Sequence, residues 1–198
     1  MPLFNRSIQV FVVLAIVAML PTTASAANKK GSVEIGASFS FIRVDPETEL
    51  DNEVTGTLLL GYNFTKRHGI EGTYSSFEAR PDGGDPFPID VDVFRLGYTY
   101  NTYPREKMSS FIRAGVGQWI IHPEKNSTAS QTLEDSNHRT LIYAGGGVRF
   151  FINDTIAIRL DGSIDAIGRD GFLQPDLNGT AGLGVIFVLG GHEPADTE

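Results

Sequence analysis

The sequence predicts an all-β protein, an eight-stranded antiparallel up-and-down transmembrane β-barrel. Three observations lead to this fold class. Apolar residues alternate with polar or small ones, the alternating segments are unusually long, and the connections between them alternate between long and short. The helical spacing of apolar residues is absent from these segments. The length of 198 residues suits a single domain.

The N-terminal segment is typical of an export signal. Residues 1–26 begin with a single basic residue, continue with an apolar stretch and end in Ala24-Ser25-Ala26. This is the layout of a signal peptide with an Ala-x-Ala cleavage site, and its apolar stretch is shorter than the roughly 20 residues of a spanning helix. We expect cleavage after Ala26. Residues 27–189 would then form the barrel domain and residues 190–198 a short polar periplasmic tail.

Composition excludes several classes of function. The formal net charge is −8, which argues against nucleic-acid binding because that function normally needs a basic face. The sequence contains no cysteine, so neither a disulfide framework nor a thiolate metal site is available. We expect no cofactor and no nucleic-acid partner.

The alternating segments are too long for a soluble β-protein. Each is about 12 to 14 residues long, whereas soluble strands usually have about five or six and tilted membrane strands need about 9 to 11 for the hydrocarbon core alone. The predicted strands are 32–44, 53–64, 69–80, 89–102, 108–121, 139–152, 155–167 and 178–189.

The connections between these strands alternate in length. Outer-membrane barrels have an even number of strands, short periplasmic turns and longer external loops. Eight strands with both termini at the short-turn end fit this rule. The long connections are 45–52, 81–88, 122–138 and 168–177, and the short ones are 65–68, 103–107 and 153–154.

The two faces of each strand indicate which side meets lipid. In the fourth segment Phe94, Leu96 and Tyr98 share one face, and Arg95 and Gly97 share the other. The interior of an eight-stranded barrel is just wide enough for side chains to fill, so the large apolar set is expected to point outward into lipid. A soluble lipocalin-like barrel is the alternative, because it would turn the same pattern the other way round.

The inward face is expected to hold charges. Buried charges persist only when they are paired and hydrogen-bonded, so we predict an ion-pair network that closes the lumen, with a narrow pore as the alternative. Its members are Glu34, Glu71, Arg95, Arg113, Arg149, Arg159 and Asp161.

Aromatic residues concentrate beside the short turns, as expected of an interfacial girdle. The predicted girdle is Tyr62, Phe64, Tyr98, Tyr100, Tyr103, Phe150 and Phe187, with Phe111 and Phe151 as neighbours. Phe41, Phe77 and Trp119 are expected to mark the opposite rim.

The last strand has the sharpest local signal. Thr180, Gly182, Val185 and Phe187 combine a polar residue, a glycine and alternating apolar residues ending in an aromatic. With the pattern of the whole chain after the leader, this segment resembles the small outer-membrane barrel family of OmpA/OmpX type. The resemblance implies that the barrel-insertion machinery recognises this strand. The family usually ends at the aromatic residue, whereas here the chain continues.

The expected function is that of a non-enzymatic bacterial outer-membrane barrel with a structural or surface-interaction role. Its partners would be outer-membrane lipid, the insertion machinery, and an external ligand or host surface bound by the loops. The acidic residues of 45–51 and 82–85 could hold a hard cation, although solvated acidic loops are common. A narrow channel for small solutes is one alternative.

A lipid-modifying enzyme is the other alternative. His122 and His138 flank the longest loop, and lipid A deacylases of this architecture use a His/Ser pair with an acidic residue near the outer rim. That chemistry needs a hydroxyl activated by an adjacent base. No closely spaced His-x-Ser pair shares one strand face, so both histidines are expected to be surface or girdle residues.

Overall fold

The computed structural model describes residues 28–43, 53–79, 89–104, 107–122, 138–168 and 175–192. No helix within these ranges is long and apolar enough to cross a membrane. The described residues form eight strands: β1 (Lys30–Arg43), β2 (Glu53–Asn63), β3 (His68–Ala79), β4 (Ile89–Pro104), β5 (Met108–His122), β6 (His138–Phe151), β7 (Ile156–Ile167) and β8 (Asp176–His192).

The sheet closes on itself, which confirms the predicted fold class. Each strand pairs antiparallel with its neighbours in sequence, and β8 pairs with β1 to complete the ring. Val33 of β1, for example, lies between Tyr62 of β2 and Leu189 of β8. Closure gives the backbone groups of every strand a partner on both sides, which is the condition for a sheet to exist in hydrocarbon.

The strand ends at the termini extend beyond the predicted bounds. β8 continues to His192, so residues 190–192 are part of the barrel and not of a tail. Gly190 pairs with Ser32, and the φ angles of Gly190 and Gly191 are 67° and 91°, in the left-handed region that favours glycine. Residues 190–192 show no alternation of apolar and polar side chains, so the sequence pattern does not mark them as a strand. They pair through the backbone, which needs no particular side chain. Residues 193–198, the rest of the predicted tail, lie outside the described residues.

The short turns and both ends of the described chain lie at one end of the barrel. In the β2–β3 turn the Thr65 hydroxyl accepts hydrogen bonds from the backbone N–H groups of Arg67 and His68, at 3.1 and 3.0 Å. In the β6–β7 turn the Asn153 side chain accepts bonds from two backbone N–H groups. Such side-chain bonds favour tight turns. The opposite end carries the long loops and is external by the rule for outer-membrane barrels.

The apolar faces point outward over most of the barrel wall. Ile164, Leu60, Leu96 and Leu183 are 62%, 61%, 55% and 54% exposed. A belt of this extent in water would be a large exposed apolar patch, which soluble monomers avoid. The soluble lipocalin-like alternative requires these side chains to fill the lumen, and they do not.

The external part of the lumen departs from the predicted pattern. Phe77 and Trp119, expected at the outer rim, point into the barrel and are 7% and 3% exposed, with ring centroids 5.7 Å apart at an edge-to-face angle of 79°. Only Phe41, at 49% exposure, faces outward. We call the cluster to which they belong the apolar plug. It comprises Ile42, Phe77, Ala79, Ile89, Val91, Val93, Trp119, Ile121, Leu141, Tyr143 and Ile167.

The inversion has a simple physical reason. On the external ends of β3, β4 and β5 the outward residues are polar apart from Ile120, among them Ser76, Asp92 and His122, while the inward ones are apolar. This is the arrangement of a barrel surrounded by water, where apolar side chains gain by turning inward. We predicted that each face of a strand keeps one polarity along its whole length. At these strand ends the apolar face instead points inward and the polar face outward.

Small residues make room for the large inward side chains. Tyr143 packs over Gly97, where an added Cβ would overlap its hydroxyl oxygen and lie 2.7 Å from the carbonyl oxygen of Ala114. The wall at Gly97 is therefore backbone alone. This is the space that lets an aromatic ring enter an eight-stranded lumen.

The position of Trp119 gives a stability prediction. Trp119→Ala should lower the free energy of unfolding by about 3–5 kcal/mol, the usual cost of removing a buried Trp or Phe side chain. The measurement is the midpoint temperature of the heat-modifiable gel shift in detergent. Phe39→Ala is the control, because Phe39 is 64% exposed on the outer wall. Equal, small effects of both substitutions would contradict a lumenal Trp119.

Candidate functional site

The centre of the lumen is organised around Glu71 of β3. Its Oε1 lies 2.6 Å from Nη1 of Arg113, and its Oε2 lies 2.6 Å from Nη1 of Arg159, whose Nη2 also donates to Oε1 at 3.0 Å. Glu71 is 2% exposed and Arg159 also 2%. One carboxylate therefore joins guanidinium groups from two strands on different sides of the barrel.

Asp161 of β7 completes this central group. Its Oδ2 lies 2.6 Å from Nη2 of Arg113 and 3.2 Å from Nη2 of Arg159. The two arginines thus share two carboxylates. Each guanidinium has donors in a fixed planar fork, so this four-group arrangement fixes orientation as well as charge.

A second carboxylate–arginine pair lies nearer the short-turn end. Nη2 of Arg149 lies 3.1 Å from Oε2 of Glu34, and its Nη1 donates to Oδ1 of Asn101 at 2.7 Å. The amide of Asn63 donates to the other oxygen of Glu34 at 2.7 Å. Nη2 of Arg149 also lies 3.9 Å from Glu71, which connects this pair to the central group.

Phe111 separates two of the arginines. The guanidinium carbons of Arg149 and Arg159 lie 4.3 and 4.4 Å from its ring centroid. Cation–π contacts of this kind are stronger when water is excluded. Phe111 was expected beside the girdle, but it is 2% exposed and lies in the lumen; Phe151, at 7%, is also inward.

Two further pairs lie closer to the loops. Arg95 pairs with Asp165, which the sequence analysis did not include, and no ion pair among the described residues joins Arg95 to Glu71 or Asp161. The second pair joins Arg139 to Asp176, with Nη1 of the arginine 3.7 Å from Oδ2 of the aspartate. The signal for Asp165 was available, because it follows Asp161 at a spacing of four residues and so shares its face.

The lumenal charges balance. Among the described residues, five arginines form ion pairs in the barrel interior with five carboxylates, so the paired charge sums to zero. Balance is required because an unpaired charge would bear the full cost of leaving water. The arginines are Arg95, Arg113, Arg139, Arg149 and Arg159, and the carboxylates are Glu34, Glu71, Asp161, Asp165 and Asp176.

The lumen is filled at two levels. The ion pairs of Glu71 and Glu34 occupy its middle and short-turn part, and the apolar plug occupies its external part together with the Arg139–Asp176 pair. Between them lies a cavity of about 30 Å³, lined by hydroxyl groups such as those of Ser40, Thr57 and Ser163. That space suits one or two water molecules. No set of three or more His, Asp or Glu side chains within the described residues could hold a metal ion.

The outer wall at the short-turn end has most of the predicted girdle. Tyr62 and Phe64 are 43% and 46% exposed and pack edge-to-face at 5.4 Å. His68 contacts the hydroxyl of Tyr98, and its ring lies 5.3 Å from that of Tyr100. Exposed aromatic rings with polar tips are typical of a membrane interface.

The remaining three residues of the predicted girdle differ from one another. Phe150 is 42% exposed on the same outer wall. Phe187 is only 7% exposed, because its register partners Ile35 and Ile156 flank it on the outer face of β8, so it offers lipid little of its ring. The side chain of Tyr103 lies outside the described residues.

The predicted insertion signal lies along β8. Val185 faces outward at 41% exposure, and Gly182 faces inward, where an added Cβ would lie 2.9 Å from the hydroxyl of Ser40. Thr180 also lies on the inward face, opposite Ser163 of β7. Recognition of this strand by the insertion machinery stays a prediction.

The histidines proposed for lipid chemistry lie on the outer wall at the external rim. Nε2 of His122 lies 3.0 Å from Oδ2 of Asp92, and the hydroxyl of Tyr74 donates to Oδ1 of the same carboxylate at 2.9 Å. A hydrolytic triad places the imidazole between the acid and the hydroxyl. Here the carboxylate has the central place. The acidic loop residues 45–51 and 82–85 and the loop serines lie outside the described residues.

A closed sheet with an apolar outer belt, aromatic rings at the short-turn rim and a filled, charged lumen defines an integral membrane β-barrel. The sequence matches the family described as outer membrane protein β-barrel domain over residues 12–187. The chain belongs to this family, which places it in the bacterial outer membrane. No curated protein matches the sequence.

Solved outer-membrane proteins share the fold. The outer membrane protein AlkL in lipid bilayers has a TM-score of 0.57 and 13% identity, over 89% of this chain and 98% of that chain. The N-terminal β-barrel domain of Pseudomonas aeruginosa OprF has 0.56 and 17%, over 81% and 99%. Neisserial surface protein A has 0.55 and 9%, over 79% and 95%. At these identities the similarity concerns the fold alone.

The position of Glu71 gives a second stability prediction. Glu71→Ala should lower the free energy of unfolding by about 3–5 kcal/mol, because it leaves buried guanidinium groups without their counter-charge. The midpoint of urea unfolding in detergent micelles measures the change. Glu78→Ala removes an exposed carboxylate on the outer face of β3, directly after the inward Phe77, and should leave the midpoint unchanged. A tolerated Glu71→Ala would show that the pairs contribute little.

Proposed function

We propose that this protein is a non-enzymatic outer-membrane barrel that acts through its external surface, in a structural or surface-interaction role. The observation that supports it is the doubly filled lumen. A solute would have to break ion pairs such as Glu71–Arg159 and then displace packed side chains such as Trp119 and Leu141. Both barriers are costly, since buried pairs lose several kcal/mol when one partner is left alone.

Export and membrane insertion would each use a separate segment of the chain. Export would use residues 1–26 as a signal peptide cleaved after Ala26, and the insertion machinery would recognise Thr180, Gly182, Val185 and Phe187 of β8. The functional contacts would be made by the external loops, since loops positioned by a rigid scaffold commonly hold binding residues. A host surface or an external ligand would be the partner.

The arrangement at Asp92 supports a non-enzymatic role. Both His122 and Tyr74 bond to this carboxylate. A deacylase would need a hydroxyl bonded to the free nitrogen of an acid-supported histidine. The proposal therefore assigns His122 to the polar outer rim.

Conductance across a planar bilayer tests the proposal. The reconstituted protein should give no discrete conductance steps, because neither the ion-pair groups nor the apolar plug leaves a continuous aqueous path. A porin reconstituted in the same lipid is the positive control, and the gel shift verifies folding of the sample. Steps that disappear in a heat-unfolded sample would replace the proposal with the narrow-channel function.

A further inference from the structure

The outer wall has a groove on its lipid-facing side. It has a volume of about 950 Å³ and lies over strands β2 to β5 in the middle of the apolar belt, with Val33 of β1 and Thr140 of β6 at its edges. Its walls are mainly outward apolar side chains, including Leu58, Leu60, Ile70, Phe94, Leu96 and Val116. The groove is an open depression of the wall and not an enclosed cavity.

The groove exists because β3 has a glycine at its centre. Gly72 lies between Leu60 of β2 and Leu96 of β4 in the strand register. An added Cβ would meet nothing closer than 3.9 Å, so the space above the backbone is open. The two leucines stand on either side of a gap one side chain wide.

The external end of the groove is polar. Tyr74 lines it, packs against Phe94 at 4.8 Å and donates its hydroxyl to Asp92, which also bonds His122. Gln118 and Thr140 line the same end. The groove therefore changes from apolar to polar along the direction from the membrane centre to the external rim.

The polar end of the groove differs in charge from the wall on the opposite side of the barrel. On the opposite wall Leu177, Phe41 and Val54 face outward at 55%, 49% and 66% exposure, and the outward residue beyond Phe41 at the loop end of β1 is an exposed cation, Arg43. At the end of the groove, by contrast, carboxylate, imidazole and amide groups face outward beside the apolar side chains. An amphiphilic lipid likewise has an apolar acyl chain at one end and a polar head group at the other.

We propose that the groove is a binding site for one membrane lipid with an amine-bearing head group, with an acyl chain over Gly72 and the head group at Asp92, His122 and Gln118. The site depends on membrane insertion of the barrel and not on closure of the lumen. Because Asp92 accepts hydrogen bonds and Glu78 and Asp90 lie nearby on the same rim, the head group should offer N–H or O–H donors. A bare phosphate would face like charges there.

Native mass spectrometry of the detergent-solubilised full chain tests the site. Phosphatidylethanolamine and phosphatidylcholine with identical acyl chains are added separately, since only the former head group has N–H donors. The protein should retain one phosphatidylethanolamine in preference to phosphatidylcholine. Equal retention of both, or retention of neither, would overturn the proposed head-group contact or the site itself.

The matched variants use two outward glycines. Gly72→Leu fills the groove and should abolish retention of the lipid, because the new side chain occupies the space of the acyl chain over β3. Gly179→Leu, at an outward position on β8 with nothing within 4 Å of the new Cβ, should retain the lipid. Equal retention by both variants would contradict the groove. Gly72→Val is the replacement if the gel shift shows that Gly72→Leu does not fold.

A head-group variant separates the two halves of the site. Asp92→Asn should abolish the preference for phosphatidylethanolamine and keep acyl-chain binding, whereas Gly72→Leu should lose both lipids. Loss of lipid from Asp92→Asn without a change of preference would show that the rim only supports the fold. A conducting wild-type barrel with the expected lipid preference would refute the closed lumen and leave the lipid site standing.

Discussion

Closure of an eight-stranded sheet is the constraint on which the rest of the molecule depends. In hydrocarbon an open strand edge has no hydrogen-bond partner, so β8 must return to β1. Eight strands close around a space that side chains alone can fill. The inward face therefore alternates between residues that leave room, such as Gly97, and residues that use it, such as Arg149 and Tyr143.

The lumenal charges follow from the same constraint. Long polar side chains can fill a narrow space, but each buried charge needs a partner whose position is fixed by another strand. Glu71 meets this need by joining Arg113 of β5 to Arg159 of β7. Phe111 then fills the space between Arg149 and Arg159 without adding charge. The interior resembles a packed core in which ion pairs replace part of the apolar contact.

The membrane belt and the external end of the barrel differ in which face of the strands is apolar. Over the belt, apolar side chains such as Leu60 and Leu96 face out and polar ones face in. Towards the loops on β3 to β5 the relation inverts, with Phe77 and Trp119 inside and Asp92 and His122 outside. The same strands thus cross from lipid to water, and the boundary on this side coincides with the polar end of the groove above Gly72.

The sequence by itself determined the strand number, the barrel and the membership of Glu34, Glu71, Arg113, Arg149, Arg159 and Asp161 in the lumen, because period-two alternation and loop length are local properties of the chain. Only the tertiary structure decided which charge meets which. Arg95 pairs with Asp165 and not with the central group, and 70 residues separate the two in sequence. It also decided that Trp119 points inward, since the face that meets water depends on where each strand leaves the lipid.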